Sequence, residues 1–363
     1  MQPAQVIVLA VPVFLVLMAV ELLVARHRGV AAFRWNDALA SLGLGMVSQV
    51  VGLFTIAFNI GIYTWVFEHF SAIQLDASAW WVWVVGLVFY DFCYYWLHRM
   101  GHEVGLLWAA HAVHHQSEDY NLSTALRQTS SGFLLAWIFY LPMALTGFPP
   151  LVFGAVALID LLYQFWVHTE QIGRLGWFDR VFCSPSNHRA HHAVNDKYLD
   201  RNYGGVLILF DRWFGTFVEE DPADPVVYGT RSPLRSFNPL WANLEVYWAL
   251  IREMRLCQRW TDKLLLPLKP PGWRPPDVKA RFPKPPFDLE QARRRYDPPL
   301  TASRKAMMTA VFAASLVLTT WLLWNAHLLS LPAQLAAAAA VVVGMAATGY
   351  LGEGRAGFGA APR

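Results

Sequence analysis

The 363-residue chain is 55% hydrophobic and only 15% charged, with 17 tryptophans and a formal net charge of +3. Together with a mean hydropathy of +0.31, this profile excludes a soluble globular enzyme and leaves an integral membrane protein. So small a net charge, with no basic face interleaved with aromatics outside the membrane belts, excludes nucleic acid as a partner.

Apolar runs long enough to span a bilayer are expected at residues 4–25, 39–67, 79–97, 306–324 and 331–350. The first has Arg26 and Arg28 after it and no basic residue before it, which reads as a membrane anchor rather than a cleavable signal. A further apolar pair, 132–146 and 151–167, is hinged at Gly147, Pro149 and Pro150. Its first member is about 22 Å long as a helix, short of a ~30 Å hydrocarbon core, so the pair reads as a full or a re-entrant hairpin. Either form returns the chain to its starting side.

With the N-terminus outside, the segments beginning at Arg26, His98, His168 and Gly352 face the cytoplasm. All 29 lysines and arginines then lie on that side, and none falls in the connections 68–78, 147–150 or 325–330. The expected fold is an all-α polytopic membrane protein in four regions: membrane helices over 1–79, a catalytic domain over 80–220, a cytoplasmic proline-rich strap over 221–305, and a membrane hairpin over 306–363. Residues 267–299 hold 10 of the 22 prolines, so an extended strap with little regular structure is expected there. Arg293, Arg294, Arg295, Arg304 and Lys305 precede a membrane helix and read as topological charges. Cys93, Cys183 and Cys257 follow no CxxC spacing, and neither a phosphate-binding glycine loop nor a GxSxG elbow occurs.

Nine of the twelve histidines fall between residues 98 and 192, and eight of them form three boxes: His98/His102, His111/His114/His115 and His188/His191/His192. Residues three and four apart share a helix face, so each box can aim its rings at one point. Neutral imidazole suits iron, copper and zinc, and two metals would consume about this many ligands. His168 stands at a membrane-helix end on the same side as the boxes and is a candidate ninth ligand. His69 and His327 fall on the other side, and His27 has no partner nearby.

The nine-residue gap from His102 to His111 requires a helix break, and Gly105 is the expected place. Ser184-Pro185-Ser186-Asn187 suits a helix start before the third box. Asp91, two turns before His98, is expected to accept the free ring N–H of a ligating histidine. Asp160 stands eight residues before His168 but about 80° round the helix from it, a weaker case for the same role. Glu103 reads equally as a ligand, a base beside the metals, or a solvated helix residue.

The spacing HxxxH, HxxHH, HxxHH among membrane helices resembles the fatty acid hydroxylase and sterol desaturase superfamily, over about residues 80–220. Within it the chain looks most like the alkylglycerol-cleaving branch. That likeness rests on His98–Glu103, on His111 through Ser117-Glu118-Asp119-Tyr120-Asn121 to Gln128, on Gln164–Glu170, and on Asn202-Tyr203-Gly204-Gly205 through Asp211 to Thr216. The resemblance implies an enzyme with two iron ions that hydroxylates a lipid C–H bond using O₂. In that branch a tetrahydropterin donates the electrons, attack beside an ether oxygen releases a fatty aldehyde, and the position of Glu103 is important. A redox protein is the other electron donor to consider. Sterol or fatty acyl desaturation or hydroxylation is the alternative within the same chemistry; a metal transporter or a zinc hydrolase lies outside it.

Overall fold

The computed structural model describes residues 3–353. The first two residues and the tail from 354, which the membrane reading puts on opposite sides, lie outside them. Among the described residues the protein is helical, with no strand beyond two isolated bridges, Phe182 with Leu207 and Ala193 with Tyr228.

Four helices are long and apolar enough to cross a membrane: α1 (Pro3–His27), α2 (Trp35–Phe70), α10 (Ala302–Asn325) and α11 (Leu331–Gly352). α3 (Trp80–Glu103), expected as a fifth span, is long enough to cross but less apolar than these four, because Asp91, tyrosines and tryptophans interrupt it. α4 (Gly105–His115) follows after one extended residue, Val104. The helix breaks where expected because Gly105 has no side chain: its N–H donates to the Lys269 carbonyl at 2.9 Å, and a Cβ there would lie 3.2 Å from that oxygen. The glycine thus docks the start of α4 on the strap.

The hinged pair is α5 (Trp137–Leu145) and α6 (Pro150–Trp166). Nine helical residues rise only about 13 Å, so α5 does not span. The turn between them is bonded to the α2–α3 connection, Ala72 N–H to Leu145 O and Leu75 N–H to Gly147 O. α7 (Pro185–His191) starts as its sequence suggests, with Ser184 Oγ accepting from the Asn187 N–H and Pro185 in the first turn.

The 221–305 region is not only a strap. It contains an 18-residue helix, α8 (Pro239–Leu256), and the short α9 (Trp260–Leu265). Within 267–299 regular structure is confined to the end of a 3-10 turn, Leu266–Leu268, and the short helices Pro276–Arg281 and Leu289–Ala292.

One apolar core joins α2, α3, α5 and α6 through Tyr63, Val82, Met143 and Val152, and a second joins α2, α10 and α11 through Val47, Met308, Val341 and Met345. α2 belongs to both and is the spine of the molecule. Gly147 holds the α5–α6 turn at φ +92°, and a Cβ there would lie 2.0 Å from the Ile73 carbonyl oxygen. Gly147→Ala is therefore expected to cost about 2 kcal/mol or more, read as a lower melting temperature of the detergent-purified protein. Gly173→Ala, with nothing within 4 Å of the added carbon, serves as the neutral comparison; an unchanged melt for both would remove the hinge from the fold's supports.

Candidate metal centre

The nine central histidines converge at one end of α3, α4, α6 and α7. They divide into two sets, His98/His102/His111/His115/His191 and His114/His168/His188/His192, with one candidate donor atom per residue and all donors of a set within 4.8 Å of one another. Helix geometry explains the division. Residues four apart share a direction while adjacent ones diverge by about 100°. His111 and His115 of α4 therefore serve the first set and His114 the second, whereas on α7 His188 and His192 serve the second and His191 the first. Each HxxHH box feeds both sets, and the His115 and His192 rings meet between them with centroids 4.3 Å apart.

Five of the outward ring nitrogens are tied down, whereas Nδ1 of His188 is buried without a partner. Nδ1 of His98 meets the Tyr203 carbonyl at 2.8 Å, His114 that of Arg127 at 2.9 Å, His168 that of Gln164 at 2.7 Å, and His191 that of Arg201 at 2.8 Å. Nδ1 of His102 meets the Asp200 carboxylate at 3.2 Å. A carbonyl or carboxylate oxygen only accepts, so each of these rings must carry its proton on Nδ1 and present a bare Nε2 lone pair inward.

The inward nitrogens lack such partners. Nε2 of His98, His102 and His191 is buried with no hydrogen-bond partner in the protein. Elsewhere Nε2 faces Nε2: His111 with His115 at 3.0 Å, His168 with His114 and with His188 at 3.1 Å, and His188 with His192 at 3.2 Å. Ligand nitrogens about 2.0–2.1 Å from a shared metal lie roughly 3.0–3.4 Å from each other, so these spacings fit metal-holding sets. An all-imidazole donor set suits iron, copper or zinc.

Burial, reinforced by neighbouring histidines, holds His111, His115, His188, His191 and His192 well below the usual imidazole range, and burial pushes His114 down to about 4. Neutral imidazole, the ligating form, is the state this environment favours.

Much of the support comes from one loop, residues 200–207. Asp200 and Asn202 adopt φ of 55° and 57°, and the Asn202 side chain ties the loop to Asn187 O and Val218 O. The loop delivers the Asp200 carboxylate and the Arg201 and Tyr203 carbonyls to His102, His191 and His98. Asp211 holds it by accepting from the Tyr203 and Gly204 N–H groups at 2.8 and 2.7 Å and from the Thr216 hydroxyl at 2.6 Å. Nothing in the residue types or spacing of Asn202–Gly205 and Asp211 signals these tasks.

Asp91 differs from its expected role. Its carboxylate accepts the Val206 and Leu207 N–H groups at 2.9 and 2.7 Å, while the ring N–H of His98 goes to Tyr203. Asp91 therefore positions the loop that positions the ring. Asp160 likewise reaches His168 only through Gln164, whose side chain donates to it at 2.6 Å while its carbonyl accepts from the ring. Glu103 lies outside both sets, paired with Arg99 at 2.9 Å and partly solvent-exposed.

A cavity of about 320 Å³ opens beside the histidines. His111, His114 and His168, drawn from both sets, line it together with apolar side chains from membrane helices, among them Val11 and Phe14 of α1, Met46 of α2, Leu161 of α6 and Phe312 of α10.

Residues 83–216 match the fatty acid hydroxylase family. The chain is 40% identical to an alkylglycerol monooxygenase of Homo sapiens over 267 residues, 73% of this chain and 59% of that protein. It is 36% identical to one of Xenopus tropicalis over 285 residues, 78% of this chain and 63% of that protein. An ornithine lipid hydroxylase of Rhizobium tropici is 30% identical over 135 residues, 37% of this chain and 41% of that protein. The chain thus spans about three fifths of the length of the first two relatives. No solved structure matches.

Because the folded-state pKa values of the buried rings lie below the unfolded value of about 6.5, the unfolded chain binds more protons on acidification. Stability is therefore full above about pH 6.5 and falls as the pH drops toward 4. Thermal melts of metal-free protein from pH 7.5 to 4.5 should show this decline, and a flat profile would contradict the neutral, buried state of the rings.

Proposed function

We propose, from the match of residues 83–216 to the fatty acid hydroxylase family, that the chain is a membrane lipid monooxygenase holding two iron ions in its two histidine sets. The observation that carries this reading is the cavity: an apolar passage between membrane helices that ends on His111, His114 and His168. A lipid chain entering from the bilayer would be led to both sets at once. Iron bound there would supply reductive activation of O₂ and attack on an unactivated C–H bond.

The protein's own residues do the rest. Carbonyls on the 200–207 loop, on Arg127 and on Gln164 hold His98, His191, His114 and His168 in one tautomer. Val11, Phe14, Met46, Leu161 and Phe312 keep water from the chain of the substrate. Asp91 and Asp211 act as positioning residues through the loop, and Glu103 acts at the rim through Arg99 rather than as a ligand.

The sharpest form of the reading is cleavage of an ether lipid, taken from the resemblance to alkylglycerol monooxygenases. One oxygen atom of O₂ enters the C–H bond beside the ether oxygen, and the other leaves as water with two electrons and two protons from a reduced pterin. The hemiacetal so formed breaks its original ether C–O bond, its hydroxyl proton passing to the departing oxygen, to give a fatty aldehyde and a glycerol. We assign the histidine end to the cytoplasm, on the strength of the one-sided distribution of 29 lysines and arginines.

Iron-loaded, purified protein incubated with an alkylglycerol, reduced tetrahydropterin and O₂ should release fatty aldehyde, measured by mass spectrometry, and omission of any one should abolish it. Absence of aldehyde from protein holding two irons would overturn the ether-lipid form and direct the assay to sterols and acyl lipids. His191→Ala and His114→Ala, one from each set, should each lower bound iron by about one equivalent while membrane insertion persists. Glu103→Gln should retain both ions; full iron in both histidine variants would remove them as ligands.

A further inference from the structure

Outside the histidine site, the least explained surface is the outer face of α8 and α9. Leu240, Leu244, Trp248 and Ile251 are exposed along α8 at intervals of four, four and three residues, a single helical stripe. Trp260, Leu264 and Leu268 repeat the interval on the segment that follows, with Trp260 75% and Leu264 67% exposed. α8 cannot be a span, since Glu245, Arg252, Glu253 and Arg255 lie within its 18 residues.

Its position is at a membrane boundary. The segment entering α8 packs on the end of the span α11, where a Cβ on Gly349 would lie 2.4 Å from the Phe237 carbonyl oxygen. The inner face of α8 is committed to the histidine site: Asn243 accepts from the Ser130 N–H at 2.9 Å, Tyr247 bonds Ser131 at 2.8 Å, and the Ala242 carbonyl accepts from Gln116 at 3.2 Å.

Charge surrounds the stripe asymmetrically. Arg252, Arg255, Arg259, Lys263 and Lys269 flank it. Of the three acids in residues 239–265, Glu253 is turned to Arg274 and Lys284, both at 2.7 Å, Glu245 is only partly exposed, facing Arg252, and Asp262 of α9 is half-buried, so five cations outnumber them. Arg255 lies over the Trp248 ring at 5.5 Å and Lys263 over the Trp260 ring at 4.7 Å. Tryptophan beside a cation is the pattern of a helix lying where acyl chains meet headgroups.

We propose that α8 and α9 form an in-plane membrane contact, with their common apolar stripe sunk to the headgroup–acyl boundary of an anionic leaflet and the flanking arginines and lysines on lipid phosphates. One face of α8 thereby rests on the bilayer while the other braces the 127–131 segment that supports His114. The inference goes beyond the oxygenase reading and stands without it.

The test uses the full chain in nanodiscs, with nitroxide labels on Leu244→Cys and Leu264→Cys and a water-facing reference on Asp196→Cys, whose native side chain is 90% exposed. The three native cysteines are buried, and label on the parent protein gives the background. Power-saturation EPR should show several-fold more collision with O₂ than with a water-soluble nickel chelate at residues 244 and 264, and the reverse at 196. Adding phosphatidylglycerol to phosphatidylcholine discs should lower nickel access further, and Arg255→Glu with Arg259→Glu should abolish that response. Nickel access at 264 equal to that at 196 would overturn the contact. Dipolar broadening between labels would assign the stripe to a second copy and overturn it as well, and immersion indifferent to phosphatidylglycerol would overturn the anionic part. None of these readouts depends on turnover, so an inactive enzyme leaves the test intact.

Discussion

Nine imidazoles packed ring against ring, with no carboxylate among them, are the constraint around which this molecule is arranged. Each buried Nε2 without a partner, as on His98, His102 and His191, costs about 1–3 kcal/mol, and the Nε2 atoms of the other six rings face one another at 3.0–3.2 Å. A metal removes both penalties at once, because one cation converts converging lone pairs from repulsion to ligation. The outward Nδ1 bonds matter for the same reason: they remove the alternative tautomer, in which the proton would point into the site.

Holding five of the nine rings in that tautomer demands acceptors at fixed places, and helix interiors cannot supply them, since helical carbonyls are engaged with their own N–H groups except in the last turn. The protein uses helix ends and a loop instead. Gln164 offers a carbonyl from the last turn of α6, and Arg127 offers one just beyond the short helical turn Leu122–Ala125. The 200–207 loop supplies three acceptors, at the expense of two non-glycine residues in the left-handed region. Asp91 and Asp211 make that loop affordable by satisfying four of its backbone N–H groups with two buried carboxylates. Gly205 is required between them, because a Cβ there would lie 2.9 Å from carboxylate oxygens of both Asp91 and Asp160.

This division explains which features the sequence disclosed. Histidine spacing marks a helix face directly, so the boxes were legible, as were the break at Gly105 and the cap at Ser184, where residue type dictates backbone shape. A carbonyl acceptor carries no such mark, since every residue has one; hence Tyr203, Arg201 and Gln164 were invisible as partners, and Asp91 was matched to the nearest histidine in sequence instead of to the loop. The helicity of α8 was masked by the neighbouring prolines. The apolar run of α3 marks it as a span, while its tyrosines, its tryptophans and Asp91 also make it the wall of a buried site.

The cavity completes the physical case for a lipid. Its lining includes Asp160 but no lysine or arginine, so a carboxylate or phosphate drawn deep into it would lose its hydration without meeting a compensating cation. An alkyl chain incurs no such penalty and gains from contact with Phe14, Met46 and Phe312. On the proposed reading the membrane helices would thus select the substrate's chain by exclusion of charge, the histidine sets would fix the depth at which that chain meets bound iron, and polar recognition would fall to groups at the histidine end, where the helices give way to the 126–131 segment and to α8 behind it.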